Sequence, residues 1–194
     1  MKKVAVTGGF ASGKSSICQF LKELGAAVIS ADEIVHQYLS ENTQAAKQII
    51  EAFGQQVCSK EKIDKAKLAD YVFNDRARLM QLESILHPLV RKEIENAYSK
   101  ANKEGKAPFF VAEVPLLFES GMDKDYDLTV AVICNEETRR KRAGAQFPDI
   151  EYTRRSARLI PESECVEKAD IVIRNEGELE ELKHAVEELF KTLT

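Results

Sequence analysis

With 194 residues, 44% of them hydrophobic and 31% charged, the chain has the make-up of one α/β domain with a well-buried core and is too short for two comfortable domains. A formal charge of −4 excludes a global pull toward nucleic acid or anionic membrane, so any basic function must be local. No apolar stretch approaches the length of a spanning helix, and Cys18, Cys58, Cys134 and Cys165 form no CxxC pair, so the composition argues against a membrane span, a zinc site or a disulfide framework and for a soluble, cytoplasmic protein with reduced thiols.

Val4, Ala5 and Val6 read as a buried strand, and Ser16 to Leu24 as a helix ending at Gly25. Between them, Gly8 to Ser15 (GGFASGKS) match G-x-x-x-x-G-K-[ST] at every fixed position, in the required order of strand, glycine loop and helix. Backbone N–H groups of such a loop cradle phosphates, the lysine reaches the β/γ oxygens and the hydroxyl can ligate Mg²⁺. Gly9, Ala11, Ser12, Gly13, Lys14, Ser15 and Ser16 are therefore the candidate nucleotide contacts, with Lys14 also catalytic and Ser15 a metal ligand. A tight strand-to-helix turn without a ligand is the alternative.

Ala26 to Ala31 predict a second strand. Asp32 follows at its carboxyl end, facing the same cleft as the glycine loop in a doubly wound sheet. There it can accept a proton from an attacking hydroxyl, help hold Mg²⁺, or cap a helix through Ile34, Val35 and Tyr38. Asn42 is a candidate cap for a helix carrying Ala45, Ile49, Ile50 and Phe53 and stopping at Gly54. Ile63 to Phe73 and Arg76 to Leu86 show helical spacing, and a further long helix is predicted from Pro88 to about Lys103.

Phe109 to Val114, Leu128 to Cys134 and Ile171 to Arg174 are apolar runs of the kind expected of strands covered on both faces, and Leu179 to Leu193 closes the chain as an amphipathic helix. Glu113, ending its run, can hold Mg²⁺ through water or be a solvated strand-end charge. From Arg139 to Arg158 seven positive residues face two negative ones, which suits a lid closing on phosphates, a solvated helix face or a nucleic-acid patch. The expected architecture is a five-stranded parallel sheet in a three-layer α/β/α core (1–32, 104–138 and 166–194), with a helical substrate-binding insert (about 33–103) and a short basic lid (about 139–165). Absence of an Asn-Lys-x-Asp pattern and of an Asp-x-x-Gly switch argues against a GTPase, and the chain is small for a motor. A small-molecule kinase fits these features best.

Val6 to Ser15, Ile29-Ser30-Ala31-Asp32, His87-Pro88-Leu89-Val90, Val114-Pro115-Leu116-Leu117-Phe118-Glu119 and Ala169 to Asn175, in this order and spacing, resemble the dephospho-coenzyme A kinases over essentially the whole chain. That resemblance implies transfer of the ATP γ-phosphate to the ribose 3′-hydroxyl of dephospho-CoA, with no nucleic-acid or membrane partner and a monomer or weak homo-oligomer. It makes Asp32 the base for the hydroxyl proton, places His87, Leu117 and Glu119 at the acceptor and puts Asn175 in the loop under the adenine. For Asn175 an Asn-x-Gly turn, for His87 a helix end and for Leu117 plain core are the competing readings. The lid departs from the family pattern. Arg139 occupies the place of a usual Gln, Arg142 matches the first lid arginine, Ala145 or Gln146 stands where a second is expected, Leu159 replaces a Gln, and Cys165 stands where Lys is common. Glu113 replaces the commoner Asp. Arg142 is thus the expected transition-state arginine, with Arg140, Arg154 and Arg155 as substitutes. A different kinase of the same fold, or a P-loop binding module, are the competing functions.

Overall fold

The computed structural model describes residues 1–40, 43–144 and 149–194. Five strands, β1 (Lys2–Gly8), β2 (Ala27–Ser30), β5 (Phe109–Glu113), β6 (Leu128–Ile133) and β7 (Ile171–Arg174), form one parallel sheet in the order β2-β5-β1-β6-β7. β1 lies in the middle because its run is apolar on both faces: Val4, Ala5 and Val6 are wholly buried. Its register, Val6 opposite Glu113 and Thr7 opposite Ala131, brings the carboxyl ends of neighbouring strands level with the glycine loop that follows it. In parallel sheets of this kind that edge is where ligands bind.

Two compact units divide the chain: residues 1–30 with 97–194, and residues 31–96. In the first, one face of the sheet is covered by α1 (Lys14–Glu23) and α9 (Leu179–Leu193), with Ile17, Leu21, Leu182, Val186 and Leu189 packed against Val4, Val6, Val130 and Val132. On the opposite face Ala131 and Ile133 pack with Cys165 of α8 (Glu162–Lys168). α6 (Glu136–Ala143) and α7 (Asp149–Ser156) follow β6. A clamp ties β6 to β7: Asp170 Oδ2 accepts from both the backbone N–H and the hydroxyl of Thr129, each at 2.7 Å. These bonds hold the Asp170 carboxyl below the usual carboxylate range, the Thr129 hydroxyl contributing most.

The second unit packs α2 (Ala31–Ser40), α3 (Gln44–Phe53), α4 (Lys65–Phe73) and the first part of α5 (Arg76–Glu104) around Ile49, Phe53, Val57, Leu68, Val72, Leu82 and Leu86. Three expectations are corrected here. Asn42 lies outside the described residues, and Thr43 caps α3, its hydroxyl accepting from the N–H of Ala46 at 3.0 Å. The two helices expected on either side of Pro88 are one helix of 29 residues. A proline inside a helix costs about 3 kcal/mol or more, but Leu82, Leu86, Val90 and Ile94 are buried at four-residue spacing on both sides of it. Burying four such side chains, at about 1.5–3 kcal/mol each, outweighs the defect. Finally, Ile63 does not begin a helix; it ends a two-residue hairpin, β3 (Cys58–Ser59) with β4 (Lys62–Ile63), and Asp64 caps α4 instead. Lys60 (φ 51°) and Glu61 (φ 63°) make the turn in the left-handed region without a glycine, so no turn signal marks it in the sequence.

Candidate active site

The sequence Gly9 to Lys14 folds as a loop closed by a bond from Ser12 N–H to the Gly9 carbonyl at 3.2 Å. Ala11 takes a left-handed conformation (φ 58°), which costs a residue with a Cβ about 1–2 kcal/mol and holds the intervening amides in a curl. Gly13 must be glycine twice over: its φ is 101°, and a Cβ there would collide with the Asn175 side-chain amide. Gly13 also stands at the N-cap of α1, offering no side chain to cap it, and no acidic residue occupies the first turn. The N–H groups at the start of α1 are therefore available to an external anion, which the helix dipole also favours.

Lys14 is 8% exposed and its ammonium donates to the Gly9 carbonyl at 2.9 Å, so it spans the mouth of the loop. Phosphate oxygens entering the loop would compete with that carbonyl for the same ammonium. Ser15 Oγ donates to Glu113 Oε1 at 2.8 Å, which joins the start of α1 to the end of β5. Ser16 follows, half-buried, in the first turn. A hydroxyl and a carboxylate are hard oxygen donors suited to Mg²⁺. Among the described residues no group of three or more His, Cys, Asp or Glu side chains could hold a metal, so phosphate oxygens and water would have to complete the shell.

Asn175 is not turned outward. It is buried, and its Nδ2 donates to the Ser12 carbonyl at 2.8 Å, bracing the glycine loop from the end of β7. Arg142 holds the same residue: its guanidinium donates to the Asn175 carbonyl (2.8 Å), to Asn175 Oδ1 (3.3 Å) and to the Gly177 carbonyl (3.2 Å). The arginine expected to face the transition state is thus engaged in the loop after β7.

How the basic run is divided follows from helix periodicity. Asn135 caps α6 by accepting from Thr138 N–H at 2.9 Å, which sets the phase. Arg140 and Lys141 then meet Glu136 and Glu137 one turn back, at 2.8 and 2.6 Å. Arg140 also lies over the ring of Tyr152 at 4.6 Å, and Tyr152 meets the loop residue Phe10 edge-on at 5.9 Å. Arg139 and Arg142, three residues apart, share the other side, and Arg139 was noted in the sequence only as replacing a usual Gln, not as a candidate for the transition state. The signal was present: Glu136 and Glu137 stand at i−4 to Arg140 and Lys141, which leaves Arg139 and Arg142 as the cations of α6 without an acid at i−4. Gln146, near the place of a second lid arginine, lies with Ala145 outside the described residues, and nothing is described of the Arg155 side chain.

Arg139 lines a cavity of about 260 Å³ beside Gly8 and Gly9, whose wall also includes Glu119, Cys134, Glu162 and Cys165. Glu119 shapes this wall by accepting the Ile160 N–H at 2.8 Å. Burial, with Glu119 and Glu162 nearby, pushes the Cys165 thiol up to about 11, and burial raises Cys134 as well, so both contribute neutral sulfur. Leu117 is wholly buried and offers a ligand no surface, consistent with core. In the second unit Asp32 is exposed in the first turn of α2, two residues beyond the end of β2. It lies inside the helix, which begins at Ala31, so it is not the residue before the first turn that capping requires. His87 is half-buried within α5.

Comparison with known proteins decides the lineage. The CoaE dephospho-CoA kinase family model matches residues 2–181. The chain belongs to the dephospho-CoA kinase family. Within that family it is 40% identical over 196 residues to the dephospho-CoA kinase of Protochlamydia amoebophila, covering 100% of this chain and 97% of the relative. It is similar in structure to a Thermus thermophilus protein (TM-score 0.84, 29% identity, 100% and 98% of the two chains covered). The dephospho-CoA kinase from Campylobacter jejuni also matches it (TM-score 0.65, 25% identity, 100% and 97% covered). The dephospho-CoA kinase family and the five-stranded parallel P-loop core expected from the sequence are both borne out.

Proposed function

We propose that this chain transfers the γ-phosphate of ATP to the 3′-hydroxyl of the ribose in dephospho-CoA, giving coenzyme A. The observation that carries this reading is family membership over essentially the full length, residues 2–181, on a chain whose glycine loop keeps every phosphate-binding group. Loop amides and the uncapped start of α1 bind the phosphates, and Lys14 leaves the Gly9 carbonyl to neutralise the β/γ oxygens. Ser15 and Glu113 are assigned as the protein's contribution to a Mg²⁺ site; when bound, Mg²⁺ neutralises charge on the transferring phosphoryl group. Asn175 and Arg142 keep the loop in shape from the side of β7.

Asp32 is assigned as the base that takes the proton of the 3′-hydroxyl as its oxygen attacks phosphorus, and ADP departs with the bridging oxygen. His87 and Glu119 are assigned to the acceptor side, with Leu117 giving the wall its shape by packing rather than by contact. The reading includes a cytoplasmic location and a monomer or weak homo-oligomer; no helix among the described residues is long and apolar enough to cross a membrane.

The test is to incubate the purified chain with Mg-ATP and, separately, dephospho-CoA, adenosine, nucleoside monophosphates and shikimate, and to follow ADP. Greatest turnover on dephospho-CoA is expected, and a faster reaction with any other acceptor would overturn the assignment. Asp32→Asn should abolish transfer while ATP affinity stays within a few fold. Equal loss of both would make Asp32 a structural or metal-side residue.

A further inference from the structure

We infer that Arg139 is the catalytic arginine of this chain, contacting the transferring phosphoryl group from the α6 side of the cavity. The inference rests on the kinase reading above and deepens it. Its first support is placement. Arg139 is half-buried and lies so closely against Gly9 that a methyl group on that glycine would sit 2.8 Å from Arg139 Nη1 and 3.2 Å from its Cδ. Gly9 has no left-handed φ, so the absence of a side chain there serves to leave this space to the guanidinium.

The second support is convergence. The Lys14 ammonium, which in such loops serves the β/γ oxygens, reaches the Gly9 carbonyl at 2.9 Å, so two cations meet at one residue of the cradle. The third is orientation. Arg139 Nε donates to the Cys134 carbonyl at 3.0 Å, which anchors the guanidinium by its inner edge to the end of β6. Among the described residues its two Nη groups make no hydrogen bond, and they belong to a side chain that lines the cavity. A guanidinium fixed at Nε and presenting both Nη groups is the fork that matches two oxygens of a phosphoryl group. Its neighbours on α6 are engaged elsewhere: Arg140 with Glu136 and Tyr152, Arg142 with Asn175 and Gly177.

In the transfer the 3′-oxygen forms its bond to the γ-phosphorus as the bond from that phosphorus to the ADP oxygen breaks. Charge spreads over the equatorial oxygens, and Arg139 would stabilise it without gaining or losing a proton. Because this contact strengthens on the way to the transition state, its removal should appear in kcat rather than in KM.

The experiment compares wild type with Arg139→Gln and Arg139→Lys, measuring kcat, KM for ATP and for dephospho-CoA, and Tm. Arg139→Gln should lower kcat by about 100-fold or more, the loss seen when one preorganised donor is removed, with both KM values within about 3-fold. Arg139→Lys should recover part of the rate. As a second readout, ADP binding in the presence of aluminium fluoride should weaken at least 10-fold in Arg139→Gln, whereas ADP alone binds as in wild type. A kcat within 3-fold of wild type, or parallel changes in kcat, KM and Tm, would overturn the inference. Wild type inactive on dephospho-CoA would instead overturn the kinase reading, and only that.

Discussion

Asn175→Ala tests whether the glycine loop depends on its brace from β7. The substitution removes the 2.8 Å bond to the Ser12 carbonyl and the oxygen that accepts from Arg142 at 3.3 Å. Asn175 is only 5% exposed, so water cannot freely replace the lost donor. A neutral hydrogen bond contributes about 1 kcal/mol, and a buried carbonyl left unpaired costs about 1–3 kcal/mol, so a destabilisation of about 2 kcal/mol is expected. For a chain of this length that is a fall in Tm of about 4–8 °C. Arg142→Ala removes the other half of the same network, and Arg142→Ala/Asn175→Ala should be less destabilised than the sum of the single variants by about 1 kcal/mol. Thermal unfolding of the four proteins, followed by ATP titration, makes the measurement. Both single variants should bind ATP about 10-fold more weakly, since the loop is held by neither end of the network alone. A Tm for Asn175→Ala within about 1 °C of wild type, or strictly additive effects, would refute the reasoning. So would Arg142→Ala that loses kcat with ATP affinity and Tm unchanged, because that is the behaviour of a transition-state arginine.

Two further outcomes follow from parts of the fold outside the site. Asp170→Asn keeps an acceptor oxygen but removes the charge that Thr129 bonds, and should cost about 1 kcal/mol at pH 7. Because the folded carboxyl titrates below its unfolded value, this difference is fully present above about pH 3.9 and disappears as pH falls through the lowered folded value; a pH-independent difference in denaturant melts would contradict it. Glu61→Gly relieves a left-handed residue in the β3–β4 turn and should stabilise residues 31–96 by about 0.5–1 kcal/mol, whereas Glu61→Val should destabilise them by at least as much; hydrogen exchange in the hairpin reads both, and stabilisation by valine would show the turn to be misassigned.

Much of the fold was legible because it depends on runs that carry their own period. β7 and α9 coincide with their sequence-based limits, and the other three parallel runs and β2 differ by a residue or two at their ends. What local pattern missed, tertiary packing decided. Pro88 reads as a start when taken alone, yet the buried stripe from Leu82 to Ile94 carries the helix through it. Lys60 and Glu61 turn the hairpin with residues that avoid left-handed backbone, so nothing in their chemistry announces it. Within the site, the glycine loop was readable since each residue type has a separate task there, and Ser15 does meet Glu113. The arginines were missed, because a count of charge over Arg139 to Arg158 says nothing of direction, whereas the acids at i−4 to Arg140 and Lys141 do. Only the phase of α6, set by Asn135, turns Arg142 to the β7 loop and Arg139 to Gly9.

Where the transferred phosphate ends up is the most direct test of the kinase reaction. Purified chain, Mg-ATP and dephospho-CoA should give stoichiometric ADP and a product carrying one new phosphate, and phosphorus NMR should place it as a monoester on the ribose 3′ position. ADP formed without that ester, or phosphate attached at another hydroxyl, would contradict the account.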